Sequence, residues 1–284
     1  MTRAFLTVPA ARAGRVRPGG SAPRSRRNRR ARDLAVVGLV TAVALAAVGC
    51  ASADDDKDPD RRSFALEGTT LTVDSDDSAL DVVAADVREV RVTRWFRGSV
   101  VAGGEPRVTW AMRDDRLVLR VRCDGLVADC SARHRIEVPR GVAVKVEEKD
   151  GRVTASGFEE ALGIRTEDGS VTVEDSTGPL DLRSDDGSVR ALGVGSRQVR
   201  ASTRDGSVRL GLRAVPDRVE AGSDDGSVTV ELPREDGDGV RAVYRVTAET
   251  DDGAVDVSVP RDPTGAHVVS ARSQDGEVTV RSAN

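Results

Sequence analysis

From Asp150 onward one short pattern recurs seven times and fixes most of what this chain can become. Asp-Gly pairs stand at Asp150-Gly151, Asp168-Gly169, Asp186-Gly187, Asp205-Gly206, Asp225-Gly226, Asp252-Gly253 and Asp275-Gly276. A valine follows each glycine by two residues: Val153, Val171, Val189, Val208, Val228, Val255 and Val278. Six of the seven also carry Ser or Thr two residues before the Asp: Thr166, Ser184, Thr203, Ser223, Thr250 and Ser273. The glycines are spaced by 18, 18, 19, 20, 27 and 23 residues. A degenerate copy stands upstream at Ser75-Asp76-Asp77-Ser78-Ala79-Leu80. One turn signal per near-constant period predicts stacked supersecondary units rather than a single closed sheet.

Each unit reads as strand, Asp-Gly turn, strand. Glycine takes positive φ freely and Asp tolerates it, so the pair suits a tight turn. Two geometries fit. The turn could close a hairpin, with Ile164 opposite Val173, or form the corner of a coil whose equivalent residues stack ~4.8 Å apart. The regular period favours the coil, with the valines as an inward column and the Ser/Thr residues as a second column near the corner. The long spacing between Gly226 and Gly253 predicts a loop around Glu235 to Gly239.

Outside the repeat the pattern is also β. Leu71-Thr72-Val73, Val90-Arg91-Val92, Leu117-Val118-Leu119-Arg120-Val121 and Ile136-Glu137-Val138 alternate apolar and polar residues, and no stretch has a helical period. The expected fold is all-β: a single-chain β-solenoid-like stack of Asp-Gly turn repeats with an N-terminal antiparallel β segment. The expected boundaries are a signal peptide over 1–49, an acidic disordered linker over 50–62, an initial β segment capping the stack over 63–140, and the repeat stack over 141–284.

Charge separates the head from the body. Residues 1–49 hold ten Arg and one acid, and the remainder holds 33 bases and 46 acids, so +9 precedes −13. A basic cluster from Arg24 to Arg32 leads into the uncharged run Leu34 to Gly49. That run is 16 residues, short for a membrane span of ~20 residues and suited to an export signal. It ends at Ala47-Val48-Gly49-Cys50, which resembles a bacterial lipobox except for Ala47 where Leu is usual. The expected attachment to the membrane is a lipid on Cys50. Cleavage after Ala53 in Ala51-Ser52-Ala53, giving a secreted protein, is the alternative; an uncleaved anchor and a twin-Arg signal fit less well.

With Cys50 lipidated, Cys123 and Cys130 remain, and an oxidising compartment favours a disulfide between them. The acidic body argues against nucleic acid as a partner. Forty Arg against three Lys reads as the codon bias of a GC-rich, actinobacteria-like genome.

No catalytic motif is present. Catalytic carboxylates break a repeat at one place, because different groups must converge there, whereas these recur equally in every unit. The two histidines, His134 and His267, lie in alternating strand patterns. Trp95, Phe96 and Trp110 read as fillers of the front segment's core, with an exposed partner contact as the alternative. Hard cations take carboxylate oxygens, but the nine-residue calcium-roll repeat is absent, and Arg165, Arg183, Arg204 and Arg272 stand beside the turns to neutralise them. No cofactor and no metal is expected; the Asp-Gly pairs are structural turns.

The serial strand–Asp-Gly-x-Val–strand units, led by Ile136-Glu137-Val138-Pro139-Arg140-Gly141-Val142, resemble a family of bacterial envelope proteins with a toast-rack domain, labelled "putative adhesin". The likeness runs from about Phe64 to Val280. It implies a β-solenoid-like stack outside the cytoplasm and carries no catalytic residues. The Cys123–Cys130 loop departs from it. The expected function is non-catalytic: an extracytoplasmic, lipid-anchored surface for binding or scaffolding, with a cell-wall glycan or an envelope protein as partner. A sensor or accessory subunit of an envelope-stress or transport system is the alternative, and a glycan-active β-helix enzyme the remote one.

Overall fold

The computed structural model describes residues 52–283. The expected signal segment and Cys50 lie outside the described residues. Two sheets, of ten and eleven strands, face each other across an aliphatic core. Each coil places one strand in the ten-stranded sheet, turns at the Asp-Gly corner, and places the next strand in the eleven-stranded sheet. Ile164 therefore pairs in parallel with Val146 and Leu182, not with Val173, which lies in the opposite sheet beside Val153-side and Val189-side strands. The coil geometry, not the hairpin, is the one adopted.

Period-two alternation explains the layering. In strand Leu180–Asp186 the side chains of Leu180, Leu182 and Ser184 are buried while Asp181 and Arg183 are exposed. Six of the seven motif valines are at most 1 % exposed. Val255 is the exception at 46 %, because its coil is the outermost one and has no neighbour on its outer side. Sheets about 10 Å apart leave room for Val, Leu, Ile and Ala, so the scarcity of aromatic residues is consistent with the core.

The nine coils do not stack in chain order. From one end they run 116–139, 70–85, 143–156, 162–174, 180–194, 198–212, 218–232, 267–282 and 244–257. The degenerate Ser75-Asp76-Asp77-Ser78 copy is thus the corner of an interior coil, next to Asp150-Gly151, with the Asp150 amide donating to the Asp76 carbonyl. At the far end the last coil in sequence is inserted between its two predecessors. A coil held on both sides cannot fray as a chain terminus otherwise does.

Antiparallel strands close the first end. Arg107–Arg113 pairs with Arg116–Arg122, and Val90–Gly103 pairs with Gly125–Pro139. Phe64 and Trp110 meet edge to face across this end, 6.3 Å between centroids, and the Arg94 guanidinium lies 4.4 Å over Trp110. Both aromatic residues pack against the core.

The expected disordered linker is docked over its described residues. Asp60–Phe64 is a strand antiparallel to Val90–Gly103, and Ala53–Asp55 is a 3-10 turn. The acids responsible for the linker's solvated appearance find partners. Asp54 pairs with Arg133, Asp60 pairs with Arg94, and the Asp56 carboxylate accepts from the Phe96 amide. Composition alone hides this, because the partners are ~35–80 residues away in sequence.

Candidate functional site

The corner column is the most regular feature of the molecule. Sequence reasoning attributes its glycines to positive φ, and only Gly206, Gly226, Gly253 and Gly276 among the seven have it. Close stacking is what all seven share. A Cβ on Gly169 would fall 2.0 Å from the carbonyl oxygen of Gly151, and one on Gly226 would fall 2.1 Å from that of Gly206. Each motif glycine sits under a backbone carbonyl of the neighbouring coil, where no side chain fits.

The Ser/Thr column holds the same carbonyls, except that Thr166 donates to Lys149 O at 3.1 Å. Ser184 donates to Gly169 O at 2.8 Å, Thr203 to Gly187 O at 2.7 Å, Ser273 to Gly226 O at 2.8 Å and Thr250 to Gly276 O at 2.9 Å. These hydroxyls are structural clamps between coils. The first motif breaks the rule by placing Glu148 in the column. Its side chain accepts from the Ser78 amide at 3.3 Å and is only 4 % exposed. Burial pushes its carboxyl up to about 7.

The Asp side chains form an exposed ladder. Asp186, Asp205, Asp225, Asp275 and Asp252 occupy one register in successive coils. The Asp77 carboxyl beside Asp150 raises its pKa, Asp150 and Asp186 raise that of Asp168, and Asp186 raises that of Asp205. The arginines near the turns neutralise other acids: Arg183 pairs with Asp181, Arg204 with Asp185 and Arg272 with Glu249. Among the described residues, no cluster of three or more His, Cys, Asp or Glu is arranged to hold a metal ion.

A second feature lies on the outside of the ten-stranded sheet. A groove of about 520 Å3 crosses the starts of several strands. Its rim carries Lys145, Asp181, Arg200, Arg218 and Glu220, and Leu162, Leu180 and Val199 lie along it. Gly163 stands in the row between Lys145 and Asp181, where the missing side chain lowers the floor. Arg200 and Arg218 both hold Glu220, which keeps its carboxyl below the usual range. The lining contains no aromatic ring.

His134 is fully buried beside Trp110, and burial pushes its imidazole down to about 4, with Arg94 adding to the effect. It stays neutral at ordinary pH and meets no solvent. Cys123 and Cys130 form a disulfide with Cα atoms 6.2 Å apart. The bond ties the strand Gly125–Pro139 to the end of Arg116–Arg122.

Residues 63–281 match a protein family described as Toastrack DUF4097. The chain belongs to that family. Two solved structures resemble this toastrack chain. One, from Clostridium sporogenes, is described as a "putative cell adhesion protein"; it is 12% identical, with 80% of this chain and 100% of that one covered, at a TM-score of 0.30. The other, from Bacteroides fragilis, is described as a "putative adhesin"; it is 14% identical, with 82% and 100% covered, at a TM-score of 0.49. No curated protein matches the chain. Among the described residues of this family member, no helix is long and apolar enough to cross a membrane.

Proposed function

We propose that this protein is a non-catalytic, extracytoplasmic binding or scaffolding module, tethered to the cell membrane through lipid on Cys50. The observation that carries the reading is that its most regular polar side chains recur from coil to coil instead of meeting at one point. The Asp and Ser/Thr columns repeat coil after coil, and the two groups with the most displaced protonation, Glu148 and His134, are sealed inside the stack. An active site needs different groups meeting at one accessible point. The export pattern of Arg24 to Cys50 and the disulfide both favour an oxidising compartment.

The groove over Gly163 is the binding surface the geometry favours. Sugars are usually held against aromatic faces, and none is present. A groove with charged side chains along its rim and the bare Gly163 backbone at its floor suits an extended polypeptide. This favours an envelope protein as partner over a cell-wall glycan, and it brings the accessory-subunit reading alongside the adhesin one. The test is co-sedimentation of the processed protein with purified cell walls and, separately, with stripped membranes carrying their integral proteins. Pelleting with membranes beyond protein-free vesicles of the same lipids, lost on Lys145→Glu with Arg200→Glu, is expected. Saturable pelleting with walls alone would overturn the preference.

A further inference from the structure

The ribbon of Val90–Gly103 and Gly125–Pro139 outruns the stack. Pairing of the second strand with Ser78–Ala85 ends at Ala132, whereas pairing within the ribbon continues to Gly103 opposite Gly125. Residues 125–131 therefore overhang by ~23 Å at ~3.3 Å per residue. In the stacked part, Ala132, His134, Ile136 and Val138 face inward and the residues between them face out. In the overhang this alternation stops. Val101 lies opposite Val127 on one face, and Val100 lies opposite Ala128 on the other, the face to which Leu126 also belongs. Leu126 is 87% exposed, Val101 63% and Val127 54%. A ribbon apolar on both faces, with Val101, Leu126 and Val127 exposed and Val100 half-buried, suits surroundings that are apolar on every side.

The path of the preceding chain identifies those surroundings. Asp60 pairs with Arg94, Asp56 accepts from the Phe96 amide, the Asp55 carbonyl accepts from Arg97, and the Ala53 amide donates to Ser131, which is opposite Arg97. Followed toward its N-terminus, the segment climbs the ribbon toward the tip. Cys50 is three residues before Ala53, a span of at most ~11 Å, and the apolar run Leu34 to Gly49 comes directly before it.

We infer that the ribbon tip, formed by Val100, Val101, Leu126 and Val127, inserts into the interfacial layer of the membrane that holds Cys50. The inference rests on the proposed tether. Arg97, Arg107 and Arg122 near the tip are matched in number by Glu105, Asp124 and Asp129, so the contact is apolar rather than electrostatic. Insertion along the ribbon turns the corner edge of the stack, beyond which the ribbon projects at Ser78, toward the bilayer.

The test uses the full chain, processed in a bacterial host and reconstituted in phosphatidylethanolamine–phosphatidylglycerol vesicles with brominated acyl chains. Leu126→Trp is compared with Val240→Trp, which is 61% exposed in the connection at the opposite end of the stack. Wild-type emission from Trp95 and Trp110 is subtracted. The expected result is a loss of roughly half the emission of the Leu126→Trp indole, as for a group ~5–10 Å deep, with no loss for Val240→Trp. Salt at ~0.5 M should leave the quenching intact. The mass of the mature N-terminus reports the tether separately. Unquenched Leu126→Trp in vesicles that hold Cys50-acylated protein overturns the inserted tip and leaves the tether standing, as does equal quenching of both variants. An unacylated Cys50 with Leu126→Trp still quenched overturns the tether alone. An unacylated protein that stays out of the vesicles overturns both.

Discussion

The hydroxyl of Ser223 donates to the carbonyl oxygen of Gly206 in the neighbouring coil at 2.7 Å. Gly206 is a glycine because its own α-carbon lies under the carbonyl of Gly187, where a Cβ would come within 2.5 Å. One motif thus supplies both the close approach and the bond that secures it. Ser223→Ala leaves that carbonyl without its clamp and should cost about 1 kcal/mol, a fall in Tm of roughly 2–4 °C. Gly206→Ala must separate two coils and should cost roughly 3 kcal/mol. Thermal unfolding followed by circular dichroism separates the two; equal effects would contradict the stacking argument.

Glu148 occupies the same column, and the repeat shows what belongs there. Its folded carboxyl titrates at about 7, above the 4.5 of a free glutamate, so the folded state binds the extra proton. The resulting penalty is fully present above pH 7 and is relieved as pH falls toward 4.5. Glu148→Thr should therefore stabilise by about 2–3 kcal/mol at pH 8, and the gain should shrink steadily to pH 4.5. Urea unfolding of both proteins across this range checks the sign.

The exposed Asp ladder follows the same direction for a different reason. Neighbouring carboxyls raise the pKa values of Asp150, Asp168 and Asp205, so repulsion between coils grows as pH rises through their titration. Asp168→Asn should raise Tm at pH 7 and low ionic strength. The gain should fade at high salt, where the charges are screened, and in acid, where the wild-type ladder is protonated. A Tm gain independent of salt would point away from repulsion.

Inserted coils make the C-terminus structural. Truncation after Gly265 removes the 267–282 coil, the only stack neighbour of the 244–257 coil among the described residues. Val269, Ala271, Val278 and Val280, all fully buried, are lost with it. The truncated protein should lose cooperative unfolding at this end and bind a hydrophobic dye, a far larger effect than the fraying expected of a terminal strand.

The disulfide acts locally. It closes an eight-residue loop at the base of the overhang, a constraint worth roughly 2.5 kcal/mol to the cross-linked segment. An isolated two-stranded ribbon is marginal in water, so reduction should release amide protection over 97–103 and 125–131 while the valine columns exchange as before. Hydrogen exchange with and without reductant reads both regions at once.

Much of the stack is legible in the chain. The Asp-Gly corners, the inward valines and the buried Ser/Thr column follow from a period that local chemistry enforces. Even the odd residues are visible, since Glu148 stands where six other motifs carry Ser or Thr. The stacking order is not legible, for a physical reason. Parallel neighbours present the same valines and hydroxyls in the same register, so one coil can pair with almost any other. The docked segment before Phe64 was equally hidden, because Asp54 and Asp60 look like solvated charge until Arg133 and Arg94 are brought beside them.

Repetition of short-range turn and strand chemistry therefore determined the coil, its period and its core by itself. Tertiary structure alone decided which coils became neighbours, which end was closed by Phe64 and Trp110, and that Val101, Leu126 and Val127 would project uncovered beyond the stack. Those outcomes depend on contacts between distant segments, and the energies that select them arise only when the chain has closed on itself.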